Sequence, residues 1–106
     1  MVDFDEQPPT LRCRGDEDRN TQGIRRPALT RAIHAQADVI IDLTELVFAD
    51  ASLMLDIAVL ARRLRAHGRA VMLRGAQPQV RMLIDLVGLH RLPGVLLEDP
   101  ATPAAA

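Results

Sequence analysis

The sequence predicts a single α/β domain, with a mostly parallel sheet of four or five strands and helices alternating between them. Three observations predict it. Strand-like and helix-like stretches alternate along most of the chain. The run Val39-Ile40-Ile41-Asp42-Leu43 is short, β-branched and nearly all apolar, the pattern of a central strand covered on both faces. The 106 residues, 48% of them apolar, suit one compact core.

Residues 1–9 are polar and end in Pro8-Pro9. They read as a loose or edge segment with a short first strand around Val2-Asp3-Phe4. The domain proper is expected over 10–97. Thr10 to Arg14 alternates apolar and polar, as a half-buried strand does. Gly15-Asp16-Glu17-Asp18 reads as an acidic turn. A helix follows, capped by Asn20 or Thr21, with Ile24, Ala28, Leu29, Ala32 and Ile33 on its apolar side. Pro27 suits a first helical turn, so this helix starts either near Arg26 or near Thr21 with a kink.

After the central strand, Leu46-Val47-Phe48 leads to Asp50. Ser52 to Ala66 reads as a long helix burying Leu53, Ile57, Leu60, Ala61 and Leu64, with Gly68 ending it. Ala70 to Leu73 is the next strand. Gln77-Pro78 opens a third helix with Val80, Leu83, Ile84 and Val87 inward, and Gly88 stops it. Val95-Leu96-Leu97 is the last strand. The tail 98–106, rich in proline and alanine, is expected to be disordered.

Composition excludes several function classes. The net charge is −1, every Lys-or-Arg position is Arg, and no basic stripe marks a nucleic-acid surface. Phe4 and Phe48 are the only aromatics, too few for base stacking. Cys13 stands alone, which rules out an internal disulfide and a multi-cysteine metal site, and its strand position suits a small core residue. No signal-peptide pattern and no membrane-length apolar run occur, so the expected location is cytoplasmic.

Chemistry has little foothold. His34, His67 and His90 fall near helix ends, where imidazoles meet terminal carbonyls, so no metal is expected. Ser52 follows a strand, but Asp50 and Met54 stand where a nucleophile elbow needs glycines. Gly15 and Gly75 are single, so no phosphate-cradling loop forms. No catalytic residue and no cofactor are expected. The informative segment is Asp50 to Leu55, a strand-to-helix junction with unpaired amides and the positive end of a helix dipole. Asp50 or Ser52 caps the helix there, and the same junction can serve as a regulatory surface.

From Leu11 to Leu96 the order and spacing of motifs resemble the STAS family, named for sulfate transporters and anti-sigma factor antagonists. Gly15-Asp16-Glu17-Asp18 is similar to the family's Gly-Glu-Leu-Asp turn, and Asp38 to Leu43 to its Val-Val-Leu-Asp-Leu strand. Phe48-Ala49-Asp50-Ala51-Ser52-Leu53-Met54-Leu55 resembles Phe-x-Asp-Ser-Ser-Gly-Leu-Gly. Leu73 to Gly75 and the helix from Val80 to Leu89, ending in Gly-Leu, resemble the later elements. The resemblance implies a protein that binds a protein-kinase anti-sigma factor, frees a sigma factor, and is released when the kinase phosphorylates the hydroxyl after the loop aspartate. That position is Ala51, which has no hydroxyl. Ser52 corresponds to the family's second serine, a substitute acceptor or only a cap.

Leu53 and Leu55 replace family glycines. Leu53 joins the buried stripe. Leu55 falls with Val59 on the side of Arg62 and Arg63, forming one ridge. The expected partner surface is Asp50, Ala51, Ser52, Leu53, Leu55, Val59 and Arg62. Rival readings are a STAS subunit that carries a small molecule or lipid, and a scaffold subunit of a signalling or transport complex.

Overall fold

The computed structural model describes residues 1–98. Strand β1 (Val2–Glu6) pairs antiparallel with β2 (Pro9–Glu17), and α1 (Gln22–Ile33) follows a single 3-10 turn at Arg19–Thr21. Then come β3 (Val39–Ala49), α2 (Ala51–Arg65), β4 (Val71–Arg74), α3 (Pro78–Val87), a 3-10 turn at Leu89–Arg91, and β5 (Val95–Leu97). The five strands lie in the order β1-β2-β3-β4-β5, and every pair after the first is parallel. This is the mostly parallel α/β sheet that the sequence predicts. The expected tail lies outside the described residues except Glu98, whose amide donates to Leu73 O and whose carboxylate meets Arg74.

The central strand is not covered on both faces. Val39, Ile41 and Leu43 are fully buried, while Ile40 and Asp42 between them are only partly so. The cause is topological. Each parallel crossover moves one strand further in the same direction, and right-handed crossovers then put every helix on one side. The core lies between that side and the helices: Val2, Phe4, Leu11, Cys13, Leu73 and Val95 point into it from the sheet. The open side carries a charge ladder instead. Arg12 meets Asp5 at 2.8 Å and Asp42 at 3.8 Å, Arg14 meets Glu45 at 3.4 Å, and Arg74 meets Glu98 at 2.9 Å.

Two element boundaries differ from the expectation. The acidic stretch Gly15–Glu17 is not a turn but the end of β2, which continues along β3 through two irregularities of register. Beyond Asp42, β3 has lost its β4 neighbour and pairs with β2 alone, up to Ala49. Of its two expected starts helix α1 takes the one near Thr21, beginning at Gln22 with Pro27 inside it; the carbonyl deprived of an amide belongs to Gly23, which is exposed to water.

Two helix faces are corrected as well. Ile24, expected inward, is 77% exposed, and Arg25 is buried in its place beside the expected Leu29 and Ala32. Val87, in the last turn of α3, is exposed, while Val80 and Ile84 are buried and Leu83 partly so. Helix α2 buries its expected stripe and adds Met54.

Candidate functional site

The β3–α2 junction is built on Asp50. Its backbone is extended, its carboxylate accepts from the Ser52 amide at 2.9 Å, and its second oxygen accepts from the Arg19 amide at 3.0 Å. It is the N-cap of α2. Ser52, one of the two candidate caps, is instead the second helical residue, and its hydroxyl donates to the Asp50 carboxylate. These bonds hold the Asp50 carboxyl below the usual carboxylate range. The Ser52 hydroxyl is the strongest cause; burial opposes it, and the Ser52 and Arg19 amides reinforce it.

Beneath the junction lies a buried ionic cluster that the sequence reading missed. Arg25 is 1% exposed, and its guanidinium reaches five oxygens. Nε donates to Asp56 at 2.7 Å. Nη1 donates to Glu17 at 3.3 Å, to the Asp18 carbonyl at 3.0 Å and to the Thr21 hydroxyl at 3.3 Å. Nη2 donates to the Ser52 hydroxyl at 3.0 Å. Glu17 is itself buried and accepts from Thr21 Oγ1 at 3.1 Å. Thr21 stands at the N-cap position of α1 but makes no side-chain cap bond to it, and Asn20 is not a cap. Asp18 caps the 3-10 turn before α1, accepting from the Asn20 and Thr21 amides while Thr21 Oγ1 accepts from the Asp18 amide. So the end of β2, the start of α1 and the start of α2 are tied through one arginine. The legible trace in the sequence was Asp56 one helical turn beyond Ser52, two polar groups beside the buried stripe.

The expected site residues separate into two groups. Ala51 is exposed at the first position of α2, and Leu55, Val59 and Arg62 are exposed along the same helix. Leu53 is fully buried in the core, so it offers no surface to a partner. Ser52 is half-buried, and its hydroxyl is engaged on both sides, by Asp50 as acceptor and Arg25 as donor. Leu55, Val59 and Arg62 line a groove together with Arg65, Leu92 and Pro93.

Elsewhere, Cys13 is fully buried, and burial pushes its thiol up to about 12, so it is not a nucleophile at neutral pH. His34 ends α1 with Nδ1 2.8 Å from the Thr30 carbonyl. Among the described residues no three His, Cys, Asp or Glu side chains group as metal ligands would, and no helix is long and apolar enough to cross a membrane.

The model of the STAS domain matches residues 2–99. No curated protein matches the chain by sequence. Among solved structures, the anti-sigma factor antagonist SpoIIAA in its unphosphorylated form superposes with a TM-score of 0.67 at 18% identity, over 93% of this chain and 86% of that one. The Bacillus cell fate determinant SpoIIAA in its phosphorylated form gives 0.65 at 17% identity, over 95% and 94%. A candidate anti-sigma factor antagonist from Thermotoga maritima gives 0.67 at 9% identity, over 95% and 87%. At these identities the likeness establishes the SpoIIAA-like fold. With strand order, helix placement and a family match over nearly the whole described chain in agreement, the protein belongs to the STAS domain family.

Proposed function

We propose that this chain is a cytoplasmic anti-sigma factor antagonist-like binding protein. It sequesters a protein-kinase anti-sigma factor, frees a sigma factor, and is not switched off by phosphorylation at the usual position. It performs no chemistry of its own. The observation that carries the reading is the α2 start: exposed Ala51, with no hydroxyl, beside the exposed Leu55, Val59 and Arg62. An apolar ridge next to a capped helix start suits a protein partner better than a small molecule.

Ser52 is a poor substitute acceptor for a physical reason. Its hydroxyl must leave both Asp50 and Arg25 before it can reach a nucleotide. A phosphate there would bring a charge of about −1.5 to −2 against the Asp50 carboxylate. The helix dipole would return only about 0.3–1 kcal/mol or somewhat more. The protein is therefore a largely constitutive antagonist.

The test incubates the parent, Ala51→Ser and Ser52→Ala proteins with each kinase-type anti-sigma factor of the source organism and ATP. Phosphate is then mapped by mass spectrometry, and binding is followed by calorimetry. The parent should bind without turnover and stay unmodified, and Ala51→Ser should gain phosphate at residue 51. Stoichiometric phosphate on parental Ser52, with release of the partner, would make Ser52 the switch. Silence from every anti-sigma factor, with a small molecule or lipid retained through purification, would replace the antagonist by a carrier.

A further inference from the structure

Some surface arginines are ion-paired and others are not. On the open side of the sheet Arg12, Arg14 and Arg74 each lie within 4.0 Å of a carboxylate. Among the described residues no carboxylate lies that close to Arg62, Arg63 or Arg65 on α2, nor to Arg19, Arg26, Arg69 or Arg91 elsewhere. The negative end of the helix dipole accounts for basic residues in a last turn. It does not account for where two of them stand.

Arg62 and Arg65 flank the groove described above. One wall is the ridge of Leu55 and Val59, 66% and 41% exposed. The opposite wall is Leu92 and Pro93. The floor is made of Ala58 and Ala61, small enough to admit a side chain from outside. The Arg65 stem passes beside Gly94: a Cβ at that glycine would sit 3.4 Å from Arg65 Cδ and 3.5 Å from its Cβ.

We propose that this groove takes an acidic amphipathic helix of the partner protein. Apolar side chains one turn apart enter between Leu55–Val59 and Leu92–Pro93, and flanking carboxylates pair with Arg62 and Arg65. The ridge spacing of four residues matches helix-in-groove recognition. The unpaired positive charge fixes the sign of the rim. The inference rests on α2 being the partner-facing helix and adds what the partner presents to it.

The probe is a hydrocarbon-stapled helix with leucines one turn apart and glutamates on both flanks, compared with the same helix carrying lysines. Binding is measured by calorimetry at low and high salt, and amide NMR shifts locate it on the full chain. The glutamate helix should shift the amides around Leu55, Val59 and Leu92, and salt should weaken it. Arg62→Glu with Arg65→Glu should reduce its affinity about tenfold or more and make the lysine helix the better ligand. Equal binding of the two helices, shifts elsewhere, or no binding would overturn the proposal. So would binding of anionic phospholipid vesicles with both helices silent, which would make the groove a membrane contact. The two readings fail separately. An anti-sigma factor that binds the parent and the Arg62→Glu, Arg65→Glu variant equally would leave the antagonist and remove the acidic helix. A glutamate helix that binds while no anti-sigma factor does would leave the groove and remove the antagonist.

Discussion

Two side chains carry most of the stress that titration or substitution can expose. Arg25 is a charge buried among carboxylates, and its value lies in what its removal leaves behind. Arg25→Met takes from Glu17, 2% exposed, one of its two cationic partners, the other being the Met1 ammonium at 2.7 Å, and among the described residues it leaves Asp56 with none. Breaking a buried pair from one side costs about 3–5 kcal/mol, whereas neutralising both partners costs much less. Denaturant unfolding of Arg25→Met, Glu17→Gln and the double variant should therefore show strong non-additivity, with the double variant more stable than Arg25→Met alone. Simple addition of the two losses would mean that the cluster is not one unit. Cys13 carries the opposite lesson. Its folded thiol holds the proton up to about 12, while an unfolded one releases it from about 9.0. The unfolded chain thus gains thiolate first as pH rises, and stability should decline between those values. Cys13→Ala should remove that alkaline decline, and below it the native thiol should resist alkylating reagents. Rapid labelling of the native protein at neutral pH would contradict its burial.

At the level of the element, α2 depends on its first residues. Asp50→Ala removes the cap of the helix and should cost about 1 kcal/mol near neutral pH. The folded carboxyl is depressed below its ordinary 3.8, so it binds a proton less tightly than the unfolded one. Its contribution is complete above that value and fades as pH falls through the folded one. The gap between parent and Asp50→Ala in thermal unfolding should accordingly close in strong acid; a gap that persisted there would point to packing, not the carboxylate. Such local logic decides what could be read from sequence. The stripe of α2 was legible because Leu53, Ile57, Leu60 and Leu64 repeat at helical spacing and nothing contests them. Helix α1 was misread by one residue because its apolar pattern is weak. An arginine sits where the pattern asks for an isoleucine, and the reason lies in Glu17, Ser52 and Asp56, brought close only by folding. The end of β2 was hidden for a related reason. Its acidic residues look like a turn, and only β3, many residues on, shows that they are a strand. Asp50, Ala51 and Leu55 were legible as a surface because junction and periodicity are local; Leu53 belongs with them in sequence but turns inward.

The helices and the core occupy one side of the sheet, and the β3–α2 junction emerges at the rim of that side. A change at Leu55 should therefore touch binding and leave folding alone. Leu55→Asp should keep the circular dichroism spectrum and melting temperature of the parent while weakening anti-sigma factor binding by about tenfold or more. Loss of the fold in this variant would place Leu55 in the core. The sheet order has a further consequence, for how the chain folds. Because strands neighbour one another in space as they do in sequence, each strand can join the edge left by the one before it. No strand has to be inserted between two that are already paired. The loops that must close between neighbouring strands are therefore only as long as one crossover.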